Sequence, residues 1–273
     1  MLLQRQTTIA AWCERIIEGG WLLALVLIPS YFNLLSSRHF EPDKATTLRA
    51  IVLVMAAAGI IRLLEQFSAG PPQRQEPAAH TEGVLGRGWR RLTAIPLAIP
   101  ALVYVLVFIF TTFTSVVPLT SFWGSYQRLQ GTYTNLSYIG LAAMIVLTLR
   151  RAEQLDRLVT VMVLASLIAV GYGLVQHFQI DPLPWKGDVV SRVASTMGNS
   201  IFVAAYLIMV LPFALYRAIA ALHQAGHARS ESSGSGADWG WAAAYILLVV
   251  ASLAIVFGAI KFGAVVRTAD LRY

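Results

Sequence analysis

Long apolar segments separated by short polar ones follow one another along the whole chain. A helix rises 1.5 Å per residue, so crossing a bilayer takes about 20 predominantly apolar residues. Because a helix satisfies its own backbone hydrogen bonds inside lipid, the pattern predicts an all-α, multi-pass transmembrane helical bundle of about seven spans. The predicted spans cover residues 19–37, 45–64, 94–116, 130–149, 158–180, 195–216 and 239–260.

The third apolar run is too long for one span. Residues 92–127 contain no Asp, Glu, Lys or Arg over 36 positions. Pro118 and Gly124 interrupt helices, and Trp123 and its aromatic neighbours are typical of a membrane–water interface. We therefore expect one helix that ends near residue 116, followed by an interfacial or re-entrant segment.

Composition excludes several classes of protein. Hydrophobic residues make up 57% of the 273 positions and charged residues only 13%, with a mean hydropathy of +0.63. Soluble proteins average about 25% charged residues, and so few charges cannot cover a compact soluble domain. The lone Cys13 permits no intrachain disulfide. A soluble enzyme, a disordered chain and a disulfide-stapled secreted domain are thus excluded in favour of an integral membrane protein.

The positive charges predict an orientation rather than a nucleic-acid partner. The chain carries a net charge of +7, but its basic residues form no stripe interleaved with aromatics. With the N-terminus in the cytoplasm, 12 of the 21 cations lie in inner segments and nine in outer ones, the C-terminal tail included. The positive-inside rule therefore favours a cytoplasmic N-terminus. Two inner loops, residues 66–88 and 225–240, are rich in Pro or in Gly and Ser and predict flexible linkers.

No soluble catalytic signature is present. The sequence contains no Gly-rich phosphate loop before a helix, no HExxH and no paired Cys or His at zinc spacing. His223 and His227 are four residues apart but have no third ligand nearby. We expect no metal and no cofactor, and the residues assign no catalytic group.

The predicted outer segments carry the chemistry of interest. They are residues 40–44, 121–132 and 181–200. Arg128 lies among aromatic and hydroxyl side chains in the second, and Arg192 precedes a Ser-Thr-Met-Gly-Asn stretch in the third. A guanidinium forms bidentate, charge-assisted hydrogen bonds with phosphoryl oxygens. An arginine at the outer end of a bundle therefore suits a phosphate or diphosphate at headgroup level.

These segments resemble the O-antigen ligase family. The resemblance rests on an Asp-Pro-x-Pro-Trp stretch at residues 181–185, then Arg192 and Ser-Thr-Met-Gly-Asn-Ser at residues 195–200. Trp-Gly-Ser-Tyr-Gln-Arg-Leu-Gln-Gly-Thr-Tyr-Thr at residues 123–134 and Phe-x-Pro-x-Lys at residues 40–44 fit the same pattern. The likeness extends from about residue 20 to residue 215, and Arg192–Asn199 is its most specific part.

The resemblance implies a function. Members of the family are multi-pass proteins of the bacterial inner membrane that move a glycan from an undecaprenyl-diphosphate carrier to an acceptor at the periplasmic face, without nucleotide or metal. By this likeness Arg192 would bind the carrier diphosphate, and Arg128 would provide a second contact. Asn199 and Ser195 would shape the site behind them. The implied partners are membrane lipids, the lipid-linked glycan donor and other membrane subunits.

The sequence also departs from this family. Members have about a dozen spans and a large periplasmic loop that carries further arginines and an essential His base. No such loop follows the seventh predicted span, and His177 is the one histidine near the Arg192 segment on the outer side. The sequence therefore predicts an incomplete or inactive ligase, its N-terminal portion, or one part of an assembled enzyme.

Other interpretations stay open at this stage. The chain would alternatively be a non-catalytic membrane subunit that scaffolds a larger complex through its helices. A transporter or flippase is less favoured because no acidic residue lies at the centre of a span. Single residues also have simpler interpretations. Four cations would be snorkelling helix anchors, namely Arg128, Arg192, Lys44 and Arg49, and Asn199 would be a helix N-cap. Four aromatic residues would form an interfacial belt, namely Trp123, Tyr126, Tyr133 and Trp185.

Overall fold

The described part of the chain is helical and contains no strand. The computed structural model describes residues 7–36, 40–68, 93, 95, 97–183, 185, 192–230, 240, 242–247 and 249–250. The predicted all-α class is confirmed for these residues. Their helices are α1 Thr8–Ser30, α2 Glu41–Ser68, α3 Ala98–Phe113, α4 Pro118–Trp123, α5 Thr132–Thr148, α6 Ala152–His177 and α7 Ser200–Ser230, with a 3₁₀ turn at Ser195–Met197.

Three helices of the described residues are long and apolar enough to cross a membrane. They are Glu41–Glu65 within α2, Ala152–His177, which is α6, and Ser200–His223 within α7. Two further apolar helices, α3 and α5, are shorter. These three helices are therefore candidate membrane spans by length and composition, and a total of seven spans stays a prediction.

Helix α1 begins well before the predicted first span. The Thr7 hydroxyl accepts a hydrogen bond from the Ala10 backbone N–H at 3.3 Å, which caps the helix at its start. The helix ends at Ser30, directly after Pro29. Hydropathy located the apolar centre of this helix, and capping sets where it starts.

The charge-free stretch 92–127 forms two helices, α3 and α4. Pro118 is the first residue of α4, a position where its missing N–H costs nothing. Val117 has φ −131° and ψ 80°, outside the helical region, as expected for a residue before proline. The proline thus separates α3 from the short helix that follows.

The two segments predicted to be flexible linkers begin within helices. Residues 225–230, assigned to a flexible loop, continue helix α7, and residues 66–68 likewise belong to α2. Ala-rich sequence such as Ala218–Ala221 has high helix propensity, which lets α7 extend past the apolar run. Residues 69–88 and 231–239 of the two loops lie outside the described residues. Residues 251–260 of the seventh predicted span also lie outside the described residues, whereas residues 242–247 of that span are helical.

The chain divides into two compact units. The first comprises Met1–Trp21 and Ala45–Leu149, and the second Leu22–Lys44 and Arg150–Tyr273. In the first unit, Trp21 and Met55 are fully buried, and Gly20 allows the backbone of α1 to lie against the Met55 side chain. In the second, α6 packs on α7 through a core that includes Val163, Val203 and Leu207.

Segments predicted on the same side of the membrane lie together within each unit. In the first unit, the Arg62 guanidinium of α2 pairs with the Glu14 carboxylate of α1 at 2.7 Å. In the second, Arg217 of α7 pairs with Asp156 of α6 at 2.7 Å and donates to the Thr160 hydroxyl. All four paired charges belong to segments that the charge distribution places on the inner side.

Candidate functional site

Two segments that are predicted to lie on the outer side, and that are distant in sequence, meet in the second unit. The Lys44 ammonium donates a hydrogen bond to the Thr196 carbonyl at 2.8 Å, across 152 positions of sequence. The Phe40 ring lies so close to Gly198 that a Cβ there would overlap it. The Phe-x-Pro-x-Lys segment and the Ser-Thr-Met-Gly-Asn segment therefore form one structural feature.

Four aromatic rings extend this feature. Phe32 stacks on Phe40 with ring centroids 5.9 Å apart and on Tyr172 at 5.4 Å. The Trp185 ring lies 5.4 Å from Phe40. The rings are half-buried, so part of each remains accessible. We use the name polar–aromatic cluster for Phe32, Phe40, Lys44, Tyr172, Asp181 and Trp185.

Asp181 fixes the position of Trp185 in this cluster. Its carboxylate accepts hydrogen bonds from the Tyr172 hydroxyl at 2.6 Å and the Trp185 indole N–H at 2.7 Å. Burial acts to raise the pKa of Asp181, but these bonds and that of the Leu183 N–H outweigh it and lower the pKa. A carboxyl with a lowered pKa is a weak general base. Asp181 is therefore suited to orienting the indole.

The Ser195–Met197 turn is held rigidly behind the cluster. The Ser195 N–H donates to the Gln176 side-chain oxygen at 2.7 Å, and its hydroxyl donates to the Ala169 carbonyl at 2.5 Å. The Thr196 hydroxyl donates to the Pro29 carbonyl at 2.6 Å. Ser195 and Thr196 are both buried. These hydroxyls serve the fold of the turn, and a contact of Ser195 with a ligand stays a prediction.

Asn199 and Arg192 lie on either side of this turn. The Asn199 side-chain oxygen accepts the Ile201 N–H at 2.9 Å, so Asn199 acts as the N-cap of α7. Its side chain is nevertheless exposed, as is that of Arg192. The structure thus places Arg192, Ser195 and Asn199 along one segment, with Ser195 directed inward and the other two accessible.

Arg128 belongs to a different part of the chain. It is exposed in the loop between α4 and α5, within the first unit. His177 is exposed at the end of α6 in the second unit, with its ring in edge contact with Phe178 at 5.3 Å. Each unit therefore carries one of the two predicted arginines.

Arg49 is not the snorkelling anchor that its position in the sequence suggests. Arg49 is only 6% exposed and does not reach outward as a snorkelling anchor would. It binds the carbonyls of Trp123 and Leu129 and the hydroxyl of Thr134. Lys44 lies half-buried beside the Thr196 carbonyl. The Phe-x-Pro-x-Lys spacing was the one sequence signal for Lys44, and nothing local marked Arg49.

A metal centre finds no support in the described residues. No group of three or more His, Cys, Asp or Glu side chains among them is placed to hold a metal ion. His223 is exposed, and the side chain of His227 lies outside the described residues.

No protein-family model, curated protein or solved structure matches the chain.

Substituting Gly198 with Ala is expected to destabilise the turn. Gly198 has φ +73°, a conformation that side-chain-bearing residues rarely adopt, and a Cβ would overlap the Phe40 ring. We expect the free energy of unfolding to fall by about 1–2 kcal/mol. Gly171→Ala is the matched control, because that helical glycine has open space around its Cβ position. Thermal unfolding in detergent measures both, and equal stability of the two variants would contradict the assignment.

Proposed function

We propose that the chain is an O-antigen-ligase-like membrane glycosyltransferase, or the N-terminal portion of one. It would transfer a saccharide from an undecaprenyl-diphosphate carrier to an acceptor at the periplasmic face of the bacterial inner membrane. The N-terminus would then lie in the cytoplasm. The reaction would require neither nucleotide nor metal.

The contact between Lys44 and the Thr196 carbonyl is the observation that carries this proposal. Lys44 belongs to the Phe-x-Pro-x-Lys segment, and Thr196 belongs to the segment with the strongest resemblance to the ligases. The 2.8 Å hydrogen bond from the Lys44 ammonium to the Thr196 carbonyl brings together two segments that lie 152 positions apart in the sequence. A shared site explains why one chain carries both segments.

The geometry suggests a role for each cation. An ammonium has three donors, and the Thr196 carbonyl accepts one of those of Lys44. Phosphoryl oxygens are natural acceptors for the others, and a half-buried charge acts on them more strongly than a fully solvated one. Arg192, exposed at the start of the same segment, would add a second positive charge for the diphosphate.

The chemistry of such a site is positioning and charge stabilisation. Negative charge develops on the diphosphate as the saccharide leaves it, and fixed cations stabilise that charge. The half-buried rings of Phe40 and Trp185 would contact the sugar or the isoprenoid adjoining the phosphates. The acceptor hydroxyl needs a base. Asp181 is poorly suited to that role because its pKa is lowered.

A glycan-transfer assay tests the proposal. The purified chain in lipid nanodiscs is supplied with an undecaprenyl-diphosphate-linked saccharide and a glycan acceptor, and transferred product is measured. The wild-type chain is expected to transfer the saccharide to the acceptor. Arg192→Ala should lower the rate by about tenfold, since the side chain is exposed and screened by solvent.

Two outcomes would contradict parts of the proposal. Equal rates for wild type and Arg192→Ala would remove Arg192 from the site. No transfer by wild type would contradict an enzyme complete in this chain and favour a non-catalytic subunit that scaffolds a larger complex. Arg150→Gln, an exposed substitution at the start of α6, is the control for loss of a positive charge and should leave the rate unchanged.

A further inference from the structure

The loop between α4 and α5 closes tightly on itself. Gly124 and Gly131 lie close together. A Cβ on Gly124 would overlap the backbone of residues 129–131, and a Cβ on Gly131 would overlap the backbone of residues 122–124. Gly124 has φ +88°, and Leu129 has φ +51°, a left-handed conformation that is costly for a side chain such as leucine. Such a backbone persists only where surrounding contacts impose it. We call residues 124–131 the pinched loop.

Arg49 supplies those contacts from helix α2. Its Nη2 donates to the Trp123 carbonyl at 2.8 Å and to the Leu129 carbonyl at 2.7 Å, so one nitrogen joins the two ends of the pinched loop. Its Nε and Nη2 also donate to the Thr134 hydroxyl, which itself donates to the Leu129 carbonyl at 2.5 Å.

Aromatic rings complete the enclosure of Arg49. The guanidinium carbon lies 4.6 Å from the centroid of the Tyr133 ring and 5.8 Å from that of Trp123. A planar guanidinium suits stacking and several directed hydrogen bonds at once, and a lysine ammonium does not. This environment explains why a cation so close to a helix end is only 6% exposed.

The tip of the pinched loop is accessible. Tyr126 is 78% exposed, and Arg128 is exposed as well. The backbone on both sides of the tip is therefore bonded to Arg49, whereas the tip, which is able to meet a ligand, faces outward. Such an arrangement fixes a recognition side chain before the ligand arrives, which reduces the entropy lost on binding.

We propose that Arg49 is a positioning residue that clamps the pinched loop so that Arg128 is presented to a polyprenyl diphosphate. This inference rests on the proposed function for the identity of the ligand. Arg49 itself is enclosed by protein and acts through Arg128.

Binding and proteolysis together test the inference. The probe is farnesyl diphosphate, a short polyprenyl diphosphate, titrated against the full chain in detergent. Arg49→Lys retains the charge but not the forked geometry, and we expect it to weaken binding by about tenfold, as Arg128→Ala should. The double variant should be no weaker than Arg128→Ala alone, because both changes remove the same contact. Trypsin cleavage after Arg128 should also be faster in Arg49→Lys than in wild type.

Thr134→Val is a second variant that tests the inference if Arg49→Lys does not fold. It keeps Arg49 and a side chain of similar shape while removing the hydroxyl that joins Arg49 to Leu129, so it should weaken binding in the same direction. Unchanged binding and unchanged cleavage in both variants would overturn the inference, and so would additive losses in the double variant. Wild-type chain that binds no diphosphate would overturn the proposed function and the ligand named here. The trypsin comparison would then decide by itself whether Arg49 clamps the loop.

Discussion

Replacing Arg49 with Met is expected to lower the free energy of unfolding by about 3 kcal/mol, because each buried polar group left without a partner costs about 1–3 kcal/mol. Methionine fills much of the volume of the arginine side chain but donates no hydrogen bond. The Trp123 carbonyl loses its Arg49 donor, and the Leu129 carbonyl keeps only the bond from Thr134. The left-handed conformation of Leu129 then loses the contacts that hold it.

Arg62→Met is the matched control for this prediction. Arg62 lies in the same helix and is also bonded, through a 2.7 Å ion pair with Glu14, but both partners are partly exposed. Partly solvated ion pairs contribute about 0–1 kcal/mol. Thermal unfolding of the two variants in the same detergent should therefore separate them clearly. A loss for Arg49→Met no larger than that for Arg62→Met would show that the buried bonds contribute little.

The contrast between these arginines shows what could be predicted from sequence. Helix class follows from local apolar runs, so the sequence predicts α2, α6 and α7. Asn199 as a helix N-cap was also expected, since capping is local. Sequence treated Arg49 and Arg62 alike, as cations near the two ends of one apolar helix.

Residues far along the chain decide the difference. The carbonyls that Arg49 binds lie 74 and 80 positions away, beyond the reach of any periodicity argument. Ser195 shows the same dependence. The resemblance to the ligases implies that it lies behind a ligand, and only the fold shows that its hydroxyl is directed to the Ala169 carbonyl of α6. Hydropathy and motif spacing locate elements, whereas the direction of a side chain depends on which elements pack together.

Lys44 gives the largest expected effect on activity. If the chain transfers saccharide as proposed, Lys44→Met should lower the rate by about 100-fold, close to 2.7 kcal/mol of lost transition-state stabilisation. The ammonium is half-buried and held by the Thr196 carbonyl, so its charge is fixed near the segment that contains Arg192. An exposed cation is screened by water, which is why the loss expected for Arg192→Ala is smaller.

A conservative substitution separates charge from packing at this position. Lys44→Arg keeps a cation that binds phosphate, but its larger planar head must fit in the half-buried position beside the Thr196 carbonyl. We expect it to retain more activity than Lys44→Met while unfolding at a similar temperature. Transfer measured in nanodiscs, beside thermal unfolding of each variant, resolves the two effects. Equal activity of Lys44→Met and wild type would place the diphosphate away from the polar–aromatic cluster, because no fixed charge of that cluster would then act on the departing phosphate.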